Sequence, residues 1–222
     1  MTDTIPFLYQ RYLQCKGIVT DSRNAVEGKV FFALKGPNFN GNLFAAQALS
    51  KGAALAVVDD VQYAHGDRYV LVEDVLTALQ QLANHHRRQL NIPIIGITGS
   101  NGKTTTKELV RAVLSARYKT VATAGNLNNH IGVPATLLAI GADTEIAVVE
   151  MGANHIGDIA ALCRIAMPTH GLITSIGHVH IEGFGSFEGV IKGKSELYDY
   201  LEQLGGQIFA NTCDEVLNHI KD

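Results

Sequence analysis

Residues 94–107 read IIGITGSNGKTTTK, and this stretch decides the fold class. Its apolar start, IIGIT, predicts a short strand that is buried on both faces. Glycines at positions 99 and 102 predict a tight turn, and the residues from 104 onward predict a helix. Glycines let backbone N–H groups turn towards an anion, and the positive end of a helix dipole attracts one. The stretch therefore predicts a loop that binds a polyphosphate.

The lysine and threonine at the end of this loop suit such a ligand. Lys103 can reach terminal phosphates, and the Thr104 hydroxyl can hold Mg²⁺. The general phosphate-loop pattern also requires a glycine five residues before Gly102, where this chain has Ile97. The loop thus fits a shorter form, Gly-x-x-Gly-Lys-Thr. The alternative is a glycine-rich turn that only caps the helix and leaves Lys103 in solvent.

β-branched runs alternate with helix-like stretches along the rest of the chain. This alternation predicts an α/β fold with mainly parallel strands, doubly wound around the loop-bearing strand. Strands are predicted at residues 29–34, 55–59, 69–72, 93–98, 120–123, 145–150, 171–175 and 207–210, and helices at 43–51, 75–90, 104–117, 132–140, 156–165 and 187–200. We place a domain boundary near Asn91, giving a small α/β domain at 1–90 and a central domain at 91–222. The central domain looks incomplete, so we expect a fragment.

Composition narrows the possible partners. The chain has 222 residues, 46% hydrophobic, with 18 basic and 21 acidic residues. This balance gives no electrostatic case for nucleic acid or an anionic membrane. Cys15, Cys163 and Cys213 are too few and too widely spaced for a disulfide framework or a zinc knuckle. With no apolar signal core and no apolar run of ~18 residues, we expect a cytoplasmic monomer.

Several ordered blocks resemble the Mur ligase family. The loop ITGSNGKTTTKE (97–108) is similar to the loop of Mur ligases and of folylpolyglutamate synthetase. The blocks GNLNNHIGVP (125–134), EMGANHIGDI (150–159), HIEGFGS (180–186) and KGKSE (192–196) resemble those of the member that adds D-alanyl-D-alanine. The resemblance runs from about Asp21 to the last residue. It implies an ATP- and Mg²⁺-dependent amide ligase, which joins D-alanyl-D-alanine to UDP-N-acetylmuramoyl-tripeptide through an acyl phosphate in peptidoglycan synthesis.

The resemblance also implies which residues bind ATP. They are the loop residues Gly99, Ser100, Asn101, Gly102, Lys103, Thr104 and Thr105. It implies that metal ions are held by Thr104, Glu150, His180 and a carbamylated Lys194, and that Lys103, His180 and Lys194 are catalytic. Glu150 ends a predicted strand at its carboxyl edge, where ligands of open α/β sheets gather. Oxygen ligands also suit Mg²⁺.

The metal assignments of His180 and Lys194 depend on the resemblance, because imidazole is not a favoured Mg²⁺ ligand. Carbamylation turns a lysine into an oxygen-bearing anion and needs a neutral amine, which neighbouring cations would favour. Lys192 competes with Lys194, but the family pattern places the active lysine two residues before Glu196. The alternatives are a structural or solvated histidine, a surface lysine, and a surface carboxylate at Glu150.

The family likeness assigns substrate contacts to Ser22 and Arg23, which would hold the UDP moiety, and to Asn128 and Asn129. Hydroxyl, guanidinium and amide donors all suit phosphate or carboxylate oxygens. The alternatives are ordinary turn or cap chemistry for Ser22 and the asparagines, and a surface salt bridge for Arg23.

This chain departs from the family pattern at three positions. Asn40 and Asn42 stand where the family often carries an acidic residue and a histidine. Ser175 follows a threonine where an asparagine is usual. The first two departures affect the substrate-facing loop expected at residues 38–42.

Two rival functions stay open. One is the Mur ligase that adds a diamino acid as the third residue, although the blocks at 125–134 and 150–159 argue against it. The other is a non-catalytic module that binds a nucleotide and a UDP-sugar. Because the family's C-terminal ligase domain is absent from these 222 residues, we expect the isolated chain to bind substrate weakly without turnover.

Overall fold

The structure is a computed structural model that describes residues 4–177 and 181–220. The chain forms two compact units, Met1–His86 and Arg87–Asp222. The division lies within helix α3 (Val75–Gln89), a few residues before the expected boundary near Asn91. Each unit is built on a parallel sheet flanked by helices, so the predicted α/β class with mainly parallel strands is confirmed.

The first unit contains a four-stranded parallel sheet in the order β1-β2-β5-β6. Its elements are α1 (Thr4–Tyr12), β1 (Ile18–Val19), β2 (Val30–Phe32), β3 (Lys35–Gly36), β4 (Phe39–Asn40), α2 (Ala45–Ser50), β5 (Leu55–Val58), β6 (Tyr69–Leu71) and most of α3. All residues of β2 and β5 are buried, because helices cover this sheet and leave the central strands no polar face. Strands β3 and β4 form a separate antiparallel hairpin.

The second unit contains a five-stranded parallel sheet in the order β11-β10-β7-β9-β8. Its elements are β7 (Ile94–Thr98), α4 (Lys103–Ser115), β8 (Thr120–Ala122), α5 (Gly132–Leu138), β9 (Ile146–Glu150), α6 (Asp158–Ala166), β10 (His170–Ile173), α7 (Ile181–Phe184), α8 (Phe187–Gln203), β11 (Gln207–Phe209) and α9 (Glu215–Ile220). Strands β9 and β10 flank β7 on opposite sides. The chain therefore changes direction across the sheet at β7, which places the carboxyl ends of three strands beside the loop that follows it.

The predicted strands and helices all correspond to observed elements, and helix α1 is the main element that was missed. Its buried residues are Leu8, Tyr9 and Tyr12, and the Tyr9 hydroxyl lies 3.1 Å from His86 Nδ1. The segment is short, and its stability comes from this tertiary packing rather than from helix propensity. Among residues 4–177 and 181–220, no helix combines the length and apolar character needed to cross a bilayer.

Candidate nucleotide and metal site

The loop between β7 and α4 depends on two glycines. Gly99 has φ 138° and Gly102 has φ 80°, values that L-residues with a side chain rarely adopt. A Cβ at position 99 would also collide with the Thr174 side chain and approach the Ser175 amide at 3.0 Å. Only glycine fits at position 99, so the loop's shape follows directly from its sequence.

Residues that follow β10 hold this loop in place. The Ser100 amide donates to the Ser175 carbonyl at 2.8 Å, and the Asn101 amide donates to Ser175 Oγ at 3.1 Å. The Thr174 hydroxyl donates to the Asn101 carbonyl at 2.6 Å. Ser175, which departs from the family pattern, therefore contacts the loop through both its backbone and its side chain.

The start of helix α4 is open to solvent. Thr104 and Thr105 are exposed, and no side chain in the described part of the chain caps the helix at Gly102. Lys103 folds back instead: its Nζ donates to the Gly99 carbonyl at 2.7 Å and the Ser100 carbonyl at 3.1 Å. Burial lowers the pKa of Lys103. This geometry disagrees with a fully solvated lysine and leaves the positive end of the helix free for an anion.

Glu150, the last residue of β9, lies against the start of α4. It is only 1% exposed, so it is not a surface carboxylate. Its Oε1 accepts hydrogen bonds from Thr104 Oγ1 at 3.2 Å and from Asn128 Nδ2 at 2.7 Å. Its Oε2 is buried and has no hydrogen-bond partner among the described residues. A buried carboxylate oxygen without a donor, beside a threonine hydroxyl, fits a hard divalent cation such as Mg²⁺.

Lys107 also belongs to this site, and the sequence reasoning missed it. Its side chain is fully buried, and its Nζ lies 3.8 Å from Glu150 Oε2. The same Nζ donates to the carbonyls of Thr123 at 2.7 Å and Gly125 at 2.6 Å. The available signal was its spacing from Lys103, since residues i and i+4 share one face of a helix.

Lys194 is buried in helix α8, whereas its competitor Lys192 is exposed. Its Nζ donates to the Ala153 carbonyl at 3.2 Å and lies 5.3 Å from the centre of the Phe184 ring. Burial, and then the positive charge of Lys103, lower its pKa to about 8. Lys194 is therefore not a surface lysine, and it lies close enough to the loop to interact electrostatically with Lys103.

The remaining predicted residues of this unit behave differently. The Asn129 side-chain oxygen accepts from the amides of Ile131 at 3.1 Å and Gly132 at 2.9 Å, so it shapes the start of α5. His180, the predicted second metal ligand, lies outside the described residues. Across 4–177 and 181–220, no group of three or more histidine, cysteine or acidic residues is arranged to hold a metal ion. Any cation here would need phosphate or water oxygens as well.

The predicted UDP contacts lie in the first unit. Ser22 is buried, and its carbonyl accepts from Lys51 Nζ at 3.1 Å. The exposed Arg23 guanidinium forms a bidentate pair with Asp21, with its closest contact at 2.7 Å. Hydrogen bonds from Arg23 lower the pKa of Asp21 to about 2. Arg23 thus has a carboxylate partner, which a phosphate would have to replace.

The two asparagines that depart from the family pattern form one polar cluster. Asn42 Nδ2 donates to Asn40 Oδ1 at 2.9 Å and to Asp59 Oδ1 at 2.8 Å. Lys35 Nζ lies 2.8 Å from the same Asp59 oxygen, and the Asp59 amide donates to Asn42 Oδ1. The asparagines therefore fix the hairpin β3–β4 to the end of β5.

Comparison with known proteins agrees with this geometry. Residues 97–222 match the Mur ligase middle domain, and residues 14–87 match the Mur ligase family catalytic domain. Over 195 residues the chain is 43% identical to the UDP-N-acetylmuramoyl-tripeptide–D-alanyl-D-alanine ligase of Bacillus subtilis, covering 87% of this chain and 43% of the relative. The enzyme of the same name from Synechocystis is 46% identical over 187 residues, covering 83% of this chain and 41% of the relative.

Solved structures give the same result. MurF from Acinetobacter baumannii superposes with a TM-score of 0.85 at 35% identity, over 98% of this chain and 50% of that one. MurF from Thermotoga maritima in complex with ADP gives a TM-score of 0.76 at 36% identity, over 85% of this chain and 44% of that one. The chain spans half or less of the length of these relatives. The glycine loop after β7 and the buried Glu150 at the end of β9 agree with these matches. The matched domains and the relatives show that the chain belongs to the Mur ligase family.

Proposed function

We propose that the chain carries the nucleotide-binding and UDP-substrate-binding parts of an ATP-dependent ligase that joins D-alanyl-D-alanine to UDP-N-acetylmuramoyl-tripeptide. The observation that carries the proposal is that the Oε2 of Glu150, buried beside the exposed start of α4, accepts no hydrogen bond from residues 4–177 or 181–220. The activity is the one for which relatives 43% and 46% identical to this chain are named. We propose that the protein acts in the cytoplasm as a monomer.

The chemistry explains why such a ligase needs these residues. A carboxylate is a poor electrophile until it takes the γ-phosphoryl group of ATP and becomes an acyl phosphate, which an amine then attacks with release of phosphate. Two like unit charges about 4 Å apart repel by about 4 kcal/mol at an effective dielectric of ~20. Mg²⁺ supplies counter-charge for this approach. Thr104 and Glu150 would hold the ion, and Lys103 would exchange its two carbonyl acceptors for phosphate oxygens.

Carbamylation of Lys194 would supply a second anionic metal ligand near Lys103. An amine whose pKa is about 8 is substantially neutral near that pH, and the neutral form can attack CO₂. The reaction forms an N–C bond and releases a proton, leaving a carbamate. We propose that this carbamate and His180 hold a second Mg²⁺. Bicarbonate enriched in ¹³C should give a carbamate NMR signal that is absent from Lys194→Met.

The proposed substrate contacts are Asn128 and Asn129 in the second unit and Ser22 and Arg23 in the first. Asn128 Nδ2 donates to Glu150 Oε1 at 2.7 Å, and this contact supports a direct role of Asn128 in binding ATP or substrate. Asn129 already accepts two backbone amides, which leaves its Nδ2 group as the part that could donate. Ser22 and Arg23 would hold the diphosphate in the first unit.

Calorimetry on the 222-residue chain tests the nucleotide proposal. We expect ADP to bind more tightly with Mg²⁺ than with EDTA, and Glu150→Gln to abolish most of that difference. Lys103→Met should weaken ADP binding about tenfold or more, the loss of roughly one charged hydrogen bond. Lys119→Met is the matched control, since Lys119 is an exposed lysine of the same unit that pairs with Asp143. Equal losses in Lys119→Met would contradict the proposal.

Substrate preference distinguishes the rival ligase. The proposed function requires that the chain binds UDP-N-acetylmuramoyl-tripeptide more tightly than UDP-N-acetylmuramoyl-dipeptide. A ligase that adds a diamino acid would show the opposite preference. The module hypothesis is tested separately by phosphate release with ATP, the tripeptide substrate and D-alanyl-D-alanine. Turnover by the 222-residue chain would rule out a purely binding role.

A further inference from the structure

Lys107 is a fully buried ammonium group with more neighbours than protons. Three acceptors lie within 3.1 Å of its Nζ: the Thr123 carbonyl at 2.7 Å, the Gly125 carbonyl at 2.6 Å and Glu108 Oε1 at 3.1 Å. A lysine ammonium has three N–H donors. These three acceptors therefore account for all of its hydrogen bonds.

Glu150 Oε2 is the fourth neighbour of this ammonium, at 3.8 Å. That separation is too long for a hydrogen bond but close enough for strong attraction between buried opposite charges. The ammonium charge thus compensates the burial of the carboxylate, while Oε2 itself accepts no hydrogen bond from the described residues. Its lone pairs stay available for another ligand.

We propose that Lys107 and Glu108 are positioning residues for the cation site. Glu108 Oε1 accepts the third hydrogen bond of the ammonium group, so Lys107 stabilises the buried charge of Glu150 without donating to Oε2. Oε2 therefore remains open to a divalent cation. This inference rests on the proposed function, in which Glu150 is a metal ligand. Lys107 also holds the carbonyls of Thr123 and Gly125, at the start of the loop that brings Asn128 onto Glu150 Oε1.

Glu108 offers a sharper test than Lys107, because its side chain is about half exposed and its replacement should not disturb the core. Glu108→Ala removes the acceptor, and the freed ammonium proton can turn to Glu150 Oε2 and compete with the cation. Glu108→Gln keeps an acceptor oxygen at the same place while changing the net charge equally. Arg111→Ala breaks the 2.9 Å pair between Arg111 and Glu108 but leaves Glu108 on Lys107.

The experiment measures Mn²⁺ affinity by electron paramagnetic resonance, with and without ADP, on the 222-residue chain. We expect Glu108→Ala to weaken Mn²⁺ binding about threefold or more, the effect of a competing charged hydrogen bond. Glu108→Gln should restore most of the affinity, and Arg111→Ala should stay within about twofold of the parent. If Glu108 had a purely structural role, Glu108→Ala and Arg111→Ala would have similar Mn²⁺ affinities.

The outcomes separate this inference from the function on which it rests. Equal Mn²⁺ affinity in Glu108→Ala and Glu108→Gln would overturn the roles of Lys107 and Glu108, and so would a parent chain that binds no Mn²⁺ at all. ADP binding by the parent in EDTA is a separate readout. Its loss would contradict the proposed nucleotide site, while Mn²⁺ without ADP still decides between the two Glu108 variants.

Discussion

Individual residues of the site combine burial with charge. Glu150, Lys107 and Lys194 are all 1% exposed or less, although charged side chains are seldom fully buried unless they are paired. Each has named partners, and Glu150 Oε2 is the one buried side-chain nitrogen or oxygen atom among the described residues that has no hydrogen bond. Such an atom costs folding free energy in the absence of a ligand, which is consistent with a site formed for binding rather than for stability.

Gly99→Ala tests the loop at this scale. The new methyl group would meet the Thr174 side chain, and φ 138° is unfavourable for alanine. We expect a loss of at least about 2 kcal/mol in the free energy of unfolding and a parallel loss of ADP affinity. Urea unfolding and calorimetry measure the two effects.

Gly66→Ala provides the control for Gly99→Ala. Gly66 has φ 86°, but a methyl group added there would meet nothing within 4 Å, so only the backbone strain applies. The expected cost is about 1 kcal/mol with no change in ADP affinity. Similar costs at both positions would show that the contact with Thr174 is unimportant.

Cys163 and Cys213 should differ in reactivity. Burial raises the pKa of Cys163 to about 12, whereas Cys213 is exposed. Because a reagent can reach an exposed thiol, Cys213 should react with a disulfide reagent in the native chain. Cys163 should react only after denaturation. Peptide mass spectrometry identifies the labelled residue, and early labelling of Cys163 would contradict its burial.

Among the helices, α6 and α8 meet through a side chain that serves as a cap. Glu196, on α8, accepts from the amide of Gly157 at 2.5 Å and from the amide of Ala160 at 2.8 Å. These amides belong to the first turn of α6, where helix amides lack internal partners and negative charge is favourable. Two residues earlier, Lys194 donates to the Ala153 carbonyl. Helix α8 therefore fixes the segment that follows β9 at two points.

Replacing Glu196 by alanine should destabilise the second unit. Removing a cap that satisfies two amides costs about 1–2 kcal/mol. Glu202→Ala, an exposed change on the same helix, should alter the unfolding free energy by less than about 0.5 kcal/mol. Urea unfolding compares the two variants, and amide exchange at residues 157–160 locates the loss. Unchanged exchange there would argue against the capping role.

In the molecule as a whole, two parallel sheets carry different parts of the proposed chemistry. The first unit holds the predicted UDP contacts, and the second holds the phosphate loop, Glu150 and Lys194. The order of the second sheet brings the ends of β7, β9 and β10 next to one another. Chemistry-bearing residues that are distant in sequence consequently lie in one place.

Buried acidic groups in both units should make the free energy of unfolding depend on pH in the alkaline range. Burial raises the pKa of Cys163 from 9.0 to about 12 and that of Tyr12 from 10.0 to about 12. Below about pH 9 both groups are protonated in the folded and unfolded states. Above it the unfolded state releases protons first, so stability falls as pH rises towards 12.

The predicted loss can be assigned to Cys163 by substitution. Its contribution is at most about 1.4 kcal/mol per pH unit between those limits. Cys163→Ala should make the free energy of unfolding fall less steeply between about pH 9 and pH 11 than in the parent chain. Urea titrations across this range measure the slopes, and Cys213→Ala should leave the slope unchanged. Identical slopes in the parent and Cys163→Ala would contradict the burial effect.

The sequence by itself determined the α/β class and the position of the glycine turn between β7 and α4. It also predicted that Thr104 and Glu150 share a site, and in the structure their side chains lie 3.2 Å apart. These features follow from local rules: a buried strand has an apolar run, a tight turn needs glycine, and a helix begins after it. Helix α1 could not be recognised in this way, because it is stabilised by packing of Tyr9 and Tyr12 rather than by its own propensity.

Only the tertiary structure decided which charged side chains are buried and which acceptors their hydrogen bonds reach. Lys192 and Lys194 are the same type of residue, two positions apart on α8. The packing of this helix nevertheless leaves Lys192 exposed and buries Lys194. Lys107 looked like an ordinary helix lysine, but the folding of α4 against β8 and β9 places it between two carbonyls and Glu150. Hydrogen bonds and charge interactions depend on distances across the sheet, and the order of residues along the chain does not contain those distances.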